Sequence, residues 1–134
     1  MRIPPFVLAA FALAAVLPTV AATPAQFLDA FAREARQADT AFAASAARGR
    51  AFFSASHGGE WSCASCHTEK PGTPGRHAAT GKAISPLAPA ANPDRFTSAG
   101  KVEKWFRRNC NDVAGRACTA GEKADVLAWL LAAK

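Results

Sequence analysis

The feature that most restricts how this chain folds is the segment Cys63-Ala64-Ser65-Cys66-His67. Two cysteines three positions apart, followed directly by a histidine, form the attachment signature C-x-x-C-H of a c-type haem. The two thiols can reach the two vinyl groups of a single haem and form thioether bonds, and the histidine is then directed at the iron. Because the signature occurs once, we predict one covalently bound haem c, held by Cys63 and Cys66, with His67 as an axial iron ligand.

The single methionine of the chain, Met1, cannot act as the second axial ligand of this haem, because it lies at the start of an export signal. The His/Met ligation found in many cytochromes c is therefore excluded. Another side chain fills the opposite axial position, or the position is open. The function of the chain depends on which of these holds.

Residues 1–22 have the pattern of a secretory signal peptide. Arg2 supplies the positive start, Phe6 to Leu17 is an uncharged apolar run, and Ala21 and Ala22 offer small residues for cleavage. The apolar run is short for a transmembrane helix, which needs about 20 apolar residues, so an uncleaved anchor is the less favoured alternative. We predict a signal peptide over 1–22 and one cytochrome c domain over 23–134. Cleavage would place the mature protein in the bacterial periplasm.

The composition describes one small, basic domain. Lysine and arginine total 16 against 10 aspartate and glutamate residues, and loss of Arg2 with the signal peptide lowers the formal charge from +6 to +5. That charge suits an acidic protein partner or a membrane surface. No nucleic-acid-binding motif is present, and export argues against a nucleic-acid partner.

Apolar periodicity predicts several helices and no convincing strand, hence an all-α domain with a cytochrome c-like monohaem fold. The first helix begins at a capping box over Thr23 to Gln26, and the second spans Phe42 to Ala55. The third runs from about Ser98 to Asn109, and the last from a capping box at Thr119 to the C-terminus, with Leu131 among its buried residues. Residues 70–94 are rich in proline and glycine and predict a long irregular loop.

Three side chains are candidates for the second axial position of the iron. His57 lies six residues before Cys63 and would need a tight loop to reach the opposite face, whereas His77, ten residues after His67, is better placed. Asn109 shares one face of the third helix with Val102, Trp105 and Phe106. An amide on an apolar face either caps the helix end or meets a polar partner in the interior. The residues alone leave both interpretations open.

The two cysteines outside the motif are Cys110 and Cys118. In an oxidising compartment a disulfide is their expected state, and closing so short a loop contributes about 2–3 kcal/mol in the chain-entropy model. We expect this disulfide to fix the end of the third helix, and with it the direction of Asn109. A zinc site formed by all four cysteines is the alternative, but it leaves His67 without a role.

Three segments of the second half carry a more specific pattern: Lys101-Val-Glu-Lys-Trp-Phe-Arg-Arg-Asn-Cys110, Val113-Ala-Gly-Arg-Ala-Cys-Thr119 and Glu122-Lys-Ala-Asp-Val-Leu-Ala-Trp-Leu130. With Pro86 to Pro89 and Asn92 to Thr97, they resemble the SHP family (sphaeroides haem proteins) of oxygen-binding cytochromes c. The resemblance implies an asparagine as second axial ligand of the ferric iron and a neighbouring disulfide. Matched onto this chain, these are Asn109 and the pair Cys110 and Cys118, while Asn111 lies outside the apolar face.

The same resemblance implies a redox partner such as a dihaem cytochrome c or a membrane cytochrome b. An amide oxygen is a hard, weak ligand that suits ferric iron better than ferrous iron. Our hypothesis is that Asn109 leaves the iron on reduction and opens a site for dioxygen or nitric oxide, so that electron transfer is coupled to gas binding. The alternative is a simple electron carrier whose haem keeps six ligands, with His77 as the second.

Two further features of the chain bear on activity and partners. The residues favour a gas-binding electron-transfer protein over an enzyme, because the distal histidine–arginine pair typical of peroxidases is absent from the pattern.

A basic stripe of Lys101, Lys104 and Arg108 on the third helix is either an ordinary solvated face or a docking patch for an acidic redox partner.

Overall fold

The computed structural model describes residues 21–134, so nearly all of the predicted signal peptide lies outside the described residues. The elements in this range are α1 (Pro24–Ala38), α2 (Ala46–Ser54), α3 (Cys63–His67), β1 (Gly75–Arg76), β2 (Ala83–Ile84), α4 (Ala99–Ala114) and α5 (Ala120–Ala132). The predicted helical class is confirmed. No helix between residues 21 and 134 is long and apolar enough to cross a membrane.

The helices begin where their capping residues predict. Capping boxes close the starts of α1 and α5, formed by Thr23 with Gln26 and by Thr119 with Glu122. The start of α2 differs from the sequence prediction of Phe42. The Ser45 side chain accepts the Arg48 backbone N–H at 3.3 Å and caps the helix, which therefore begins at Ala46.

The C-terminal end of α4 also differs from the prediction, and the difference bears on Asn109. The sequence predicts an end at Asn109, but the helix continues to Ala114 and ends at Gly115, whose φ of 66° is left-handed. Glycine adopts this conformation more readily than asparagine, and Val113 in the extra turn is buried. Asn109 therefore lies inside α4 and is not its C-cap.

The predicted loop over 70–94 contains a short antiparallel ladder that the sequence did not predict. Gly75 pairs with Ile84 and Arg76 with Ala83. Two residues per strand are too few for an alternating apolar pattern to be visible.

The core lies between α5 and the other long helices. One cluster joins α1, α4 and α5 through Phe31, Ala32, Val102, Ala124 and Leu127, and a second joins α2 and α5 through Phe53, Val126 and Leu130. Leu131, predicted to be buried in α5, is exposed, and so is Trp105 of α4. The second cluster is the one that reaches the C-x-x-C-H motif.

A buried carboxylate ties α5 to the start of α2. Asp125 is 7% exposed and accepts the Ser45 backbone N–H at 2.7 Å and the Arg48 guanidinium at 2.7 and 2.9 Å. These charge-assisted bonds satisfy the carboxylate that burial would otherwise penalise. They also fix where α2 begins relative to α5.

Gly49 allows α2 and α5 to approach closely, and Gly49→Ala is expected to destabilise the fold. An added Cβ would overlap the Asp125 carbonyl and lie 2.8 Å from the Val126 backbone nitrogen. These backbone atoms cannot rotate away, so the free energy of unfolding is expected to fall by about 1–3 kcal/mol. Denaturant unfolding of the holoprotein measures the change.

The matched control for this substitution is Gly100→Ala in the first turn of α4. No atom lies within 4 Å of a Cβ at Gly100, and alanine is the better helix former by about 1 kcal/mol. We therefore expect no loss of stability in the control. Equal losses in both variants would contradict a tight crossing of α2 and α5.

Candidate haem site

The C-x-x-C-H motif folds as a single helical turn, α3. At its N-terminus the Ser65 backbone N–H donates to the Ser62 side chain at 3.2 Å, and the Ser62 N–H donates to the Ser65 hydroxyl at 2.9 Å. Residues three positions apart on a helix are neighbours on one side. Cys63 and Cys66 thus lie together as partly buried, free thiols. This is the arrangement that two thioether bonds to one cofactor need.

The backbone directly after His67 turns sharply and packs back on the motif. Thr68 has φ 64° and ψ 163°, a conformation that β-branched residues rarely adopt. Its hydroxyl donates to the Lys70 carbonyl at 2.9 Å. A Cβ at Gly75 would overlap the Cys66 carbonyl oxygen, so only glycine allows strand β1 to lie this close.

The His67 imidazole lies against aromatic side chains. Its ring centroid is 6.2 Å from that of Phe53, which in turn is 4.8 Å from that of Trp129. Burial, assisted by the nearby charge of Arg95, lowers the pKa of His67 to about 4. The imidazole is therefore neutral at physiological pH, which is the form that binds a metal. Burial likewise raises the pKa of the Cys63 thiol to about 11.

Arg95 places a cation near His67 that no carboxylate of the described residues neutralises. The guanidinium donates to the backbone carbonyls of Ser85 at 2.7 Å and Pro86 at 2.9 Å. Burial lowers the pKa of Arg95. A partly buried cation is stabilised by an anionic partner, and haem carries two propionates. The paired thiols, the neutral imidazole and this uncompensated cation all fit a c-type haem.

Helix α4 reaches the cluster that packs against the C-x-x-C-H motif through Phe106. Phe106, which is one turn before Asn109 and a neighbour on the helix surface, packs with Cys63 and Ala64 around the cluster of Phe53, Val126 and Leu130. Asn109 is half-buried. Its amide takes part in none of the side-chain hydrogen bonds found within residues 21–134, and it is not a buried unsatisfied group.

The two histidines predicted as alternative ligands take part in local loop contacts. His57 donates from Nε2 to the Phe52 carbonyl at 2.8 Å, and its ring packs on Phe52 with centroids 4.2 Å apart. His77 is exposed in the turn between β1 and β2, where its Nδ1 accepts the Thr80 N–H at 3.3 Å. Asn111 is exposed on α4, away from the apolar face.

Cys110 and Cys118 form a disulfide that joins α4 to the start of α5, with Cα atoms 5.6 Å apart. We expected it to end the helix, but α4 continues past Cys110, so the bond instead anchors the last turns of the helix. Since these two sulfurs are bonded to each other, a zinc site of four cysteines is not formed. Within the described part of the chain, no three metal-binding side chains cluster.

Three residues that shape this site escaped the sequence analysis: Thr68, Gly75 and Arg95. Thr68 and Arg95 act through backbone contacts in irregular segments, where no periodic signal exists. Gly75 belongs to the Pro- and Gly-rich segment that we predicted as a loop. A glycine in such a segment is compatible with close backbone approach as well as with a turn. Gly75 could therefore have been predicted as a point where the loop packs against another segment.

A family model and a curated relative match this chain. The model of a domain of unknown function, DUF1924, matches residues 39–130. The cytochrome c-type protein SHP of Cereibacter sphaeroides is 56% identical over 93 residues, which span 66% of this chain and 71% of that protein.

Two solved structures share the fold. Oxidised SHP, described as an oxygen-binding cytochrome c, matches with a TM-score of 0.73 at 47% identity, covering 82% of this chain and 96% of that one. The solution structure of cytochrome c'' from Methylophilus methylotrophus, a study of haem-ligand detachment, matches with a TM-score of 0.70 at 39% identity. That match covers 81% of this chain and 91% of that one.

Proposed function

Because this chain belongs to the DUF1924 family and to the family of SHP and cytochrome c'', we propose that it is an exported monohaem cytochrome c that couples electron transfer to gas binding. Bound haem would supply an iron centre that changes oxidation state and coordinates diatomic gases. Cys63 and Cys66 would hold the cofactor through thioether bonds, and His67 would coordinate the iron. The description of SHP as oxygen-binding supports dioxygen, or the related nitric oxide, as the ligand class.

We assign the opposite axial position to Asn109, and the observation that carries this assignment is the extent of α4. The helix continues to Ala114 and is capped by Gly115, so the Asn109 amide is not used as a C-cap. The amide forms no hydrogen bond to another side chain or to the backbone of the described residues, and it is not among the buried unsatisfied groups. It is therefore available to coordinate ferric iron. His57 and His77, by contrast, are engaged in local hydrogen bonds.

Asn109 would act as the redox-dependent element of the site. An amide oxygen favours ferric over ferrous iron, so the side chain would leave the coordination position on reduction. Its N–H groups would then be available to donate to a gas molecule in that position. The disulfide at Cys110 anchors the backbone beside Asn109, so this movement would be confined to the side chain. Haem-ligand detachment, described for cytochrome c'', supports a labile ligand in the family.

We further propose a periplasmic location and an electron-transfer partner such as a dihaem cytochrome c or a membrane cytochrome b. Support for the location comes from the signal-peptide pattern of residues 1–22 and from the disulfide, because disulfides persist in oxidising compartments.

Carbon monoxide added to the dithionite-reduced holoprotein tests this function. We expect the Soret band of the reduced protein to shift on addition of the gas, because Asn109 has left the iron. Asn109→Ala is expected to change the ferric spectrum and to preserve the response to carbon monoxide. The control is Asn111→Ala, two residues along the same helix and exposed, for which both spectra should match the wild type.

The simple electron carrier gives the opposite results. In that case the reduced protein is six-coordinate and low-spin, and carbon monoxide leaves its spectrum unchanged. His77→Ala, rather than Asn109→Ala, would then alter the ferric spectrum. The first result would overturn the release of Asn109 on reduction, and the second would overturn its assignment as the iron ligand.

A further inference from the structure

Helix α4 carries a basic surface beside Asn109. The surface is formed by Lys101, Lys104 and Arg108, with Trp105 at its inner edge. All three basic side chains are exposed, and none forms a salt bridge within residues 21–134. The glutamate of α4, Glu103, pairs with Lys123 of α5 at 3.1 Å. Asp112 is the acidic residue on the same side of the helix, so the surface remains net positive.

Trp105 lies between this basic surface and Asn109 around the helix axis. Residues four positions apart on an α-helix differ by about 40° in direction, since each residue turns the helix by about 100°. Asn109 therefore lies about 40° to one side of Trp105 and Lys101 about 40° to the other. A molecule that covers Trp105 would contact the basic side chains and also lie next to Asn109.

Trp105 lies at the border between the basic side chains and the side of α4 that carries Asn109. The side chain is 47% exposed, and two cations flank it: Lys104 Nζ is 5.6 Å and Arg108 Cζ is 5.3 Å from its ring centroid. Tryptophan and arginine are enriched in the centres of protein interfaces. Unpaired cations around such a residue attract a surface of opposite charge and orient it during encounter.

We propose that this basic surface docks the acidic face of an electron-transfer protein, with Trp105 as the apolar contact. The positive charge selects a partner that presents clustered carboxylates, and the position beside Asn109 brings that partner close to the candidate iron site. The identity of the partner as an electron carrier rests on the proposed function. The preference for an acidic surface rests on the charges of α4 alone.

The double charge reversal Lys104→Glu and Arg108→Glu tests the proposal in the holoprotein. Its control is Arg33→Glu with Arg36→Glu on α1, two exposed residues whose reversal changes the net charge equally. An acidic flavodoxin in its semiquinone form serves as electron donor in stopped-flow measurements at low ionic strength. We expect the α4 variant to be reduced more slowly by tenfold or more, on the order of the effect of electrostatic steering. The control variant should remain within about twofold of the wild type.

Two further measurements separate docking from the state of the haem. Reduction by the semiquinone of an uncharged free flavin should proceed at the wild-type rate in both variants, because no docking is needed. Amide resonances of α4 should shift when poly-L-glutamate is added to the wild type and stay unshifted in the α4 variant. Equal slowing of both variants by flavodoxin, or shifts confined to α1, would overturn the proposal. Neither readout depends on the response to carbon monoxide, so failure of the proposed gas binding is recognised separately.

Discussion

Replacing Cys63 and Cys66 together by alanine is expected to abolish covalent haem attachment completely. The two residues are free thiols on one turn of α3, and the other two cysteines are bonded to each other. Only the first pair is therefore available to form thioether bonds. The measurements are haem staining of the denatured protein after electrophoresis and the mass of the intact chain. In the variant the stain should disappear, and the mass should fall to that of the polypeptide alone.

The double substitution Cys110→Ser and Cys118→Ser is the matched control, because it removes the same number of sulfur atoms. This variant should keep its covalent haem and lose about 2–3 kcal/mol of stability, the expected effect of opening so short a loop. Covalent haem in the Cys63 and Cys66 variant would contradict the assignment of the motif. Loss of haem from the control would show that the two pairs are not independent.

The helix ends show which local signals in the sequence are reliable. Where a capping box is present, as at Thr119, the sequence predicts the start of the helix to the residue. At the end of α4 we predicted Asn109 as the last residue, whereas the helix is capped by Gly115. The glycine prevails because it adopts the left-handed conformation without steric cost and because Val113 gains burial in the added turn.

The residues of the candidate site fall into two groups: those fixed by local sequence and those placed by contacts with distant segments. Cys63, Cys66 and His67 could be predicted because the chemistry of thioether attachment fixes their spacing. Arg95 could not be predicted, since it contacts backbone carbonyls nine and ten residues away in an irregular segment. Trp105 was placed on the apolar face of α4 by its spacing, yet it lies at the edge of that face and is exposed. Spacing gives the direction of a side chain, while burial depends on the neighbouring elements.

Replacing Phe53 by alanine is expected to be the most destabilising single substitution in the core near the candidate site. The side chain is 2% exposed and belongs to the cluster that joins α2, α5 and the C-x-x-C-H motif. Removing a buried phenylalanine loses its transfer free energy and leaves a cavity, and together these cost about 3–5 kcal/mol. Denaturant unfolding of the holoprotein measures this loss. The ferric spectrum should also change, because His67 loses the ring that packs against it.

The adjacent residue, Phe52, supplies the control for this prediction. Its side chain is half-buried and packs on the His57 ring, so Phe52→Ala should cost less, about 1 kcal/mol, and leave the ferric spectrum unchanged. Equal losses in the two variants would contradict the central position of Phe53. Because domains are stable by only about 5–15 kcal/mol, the loss expected at Phe53 is a large part of the total. The Phe53 variant should therefore depend on its covalent cofactor to remain folded.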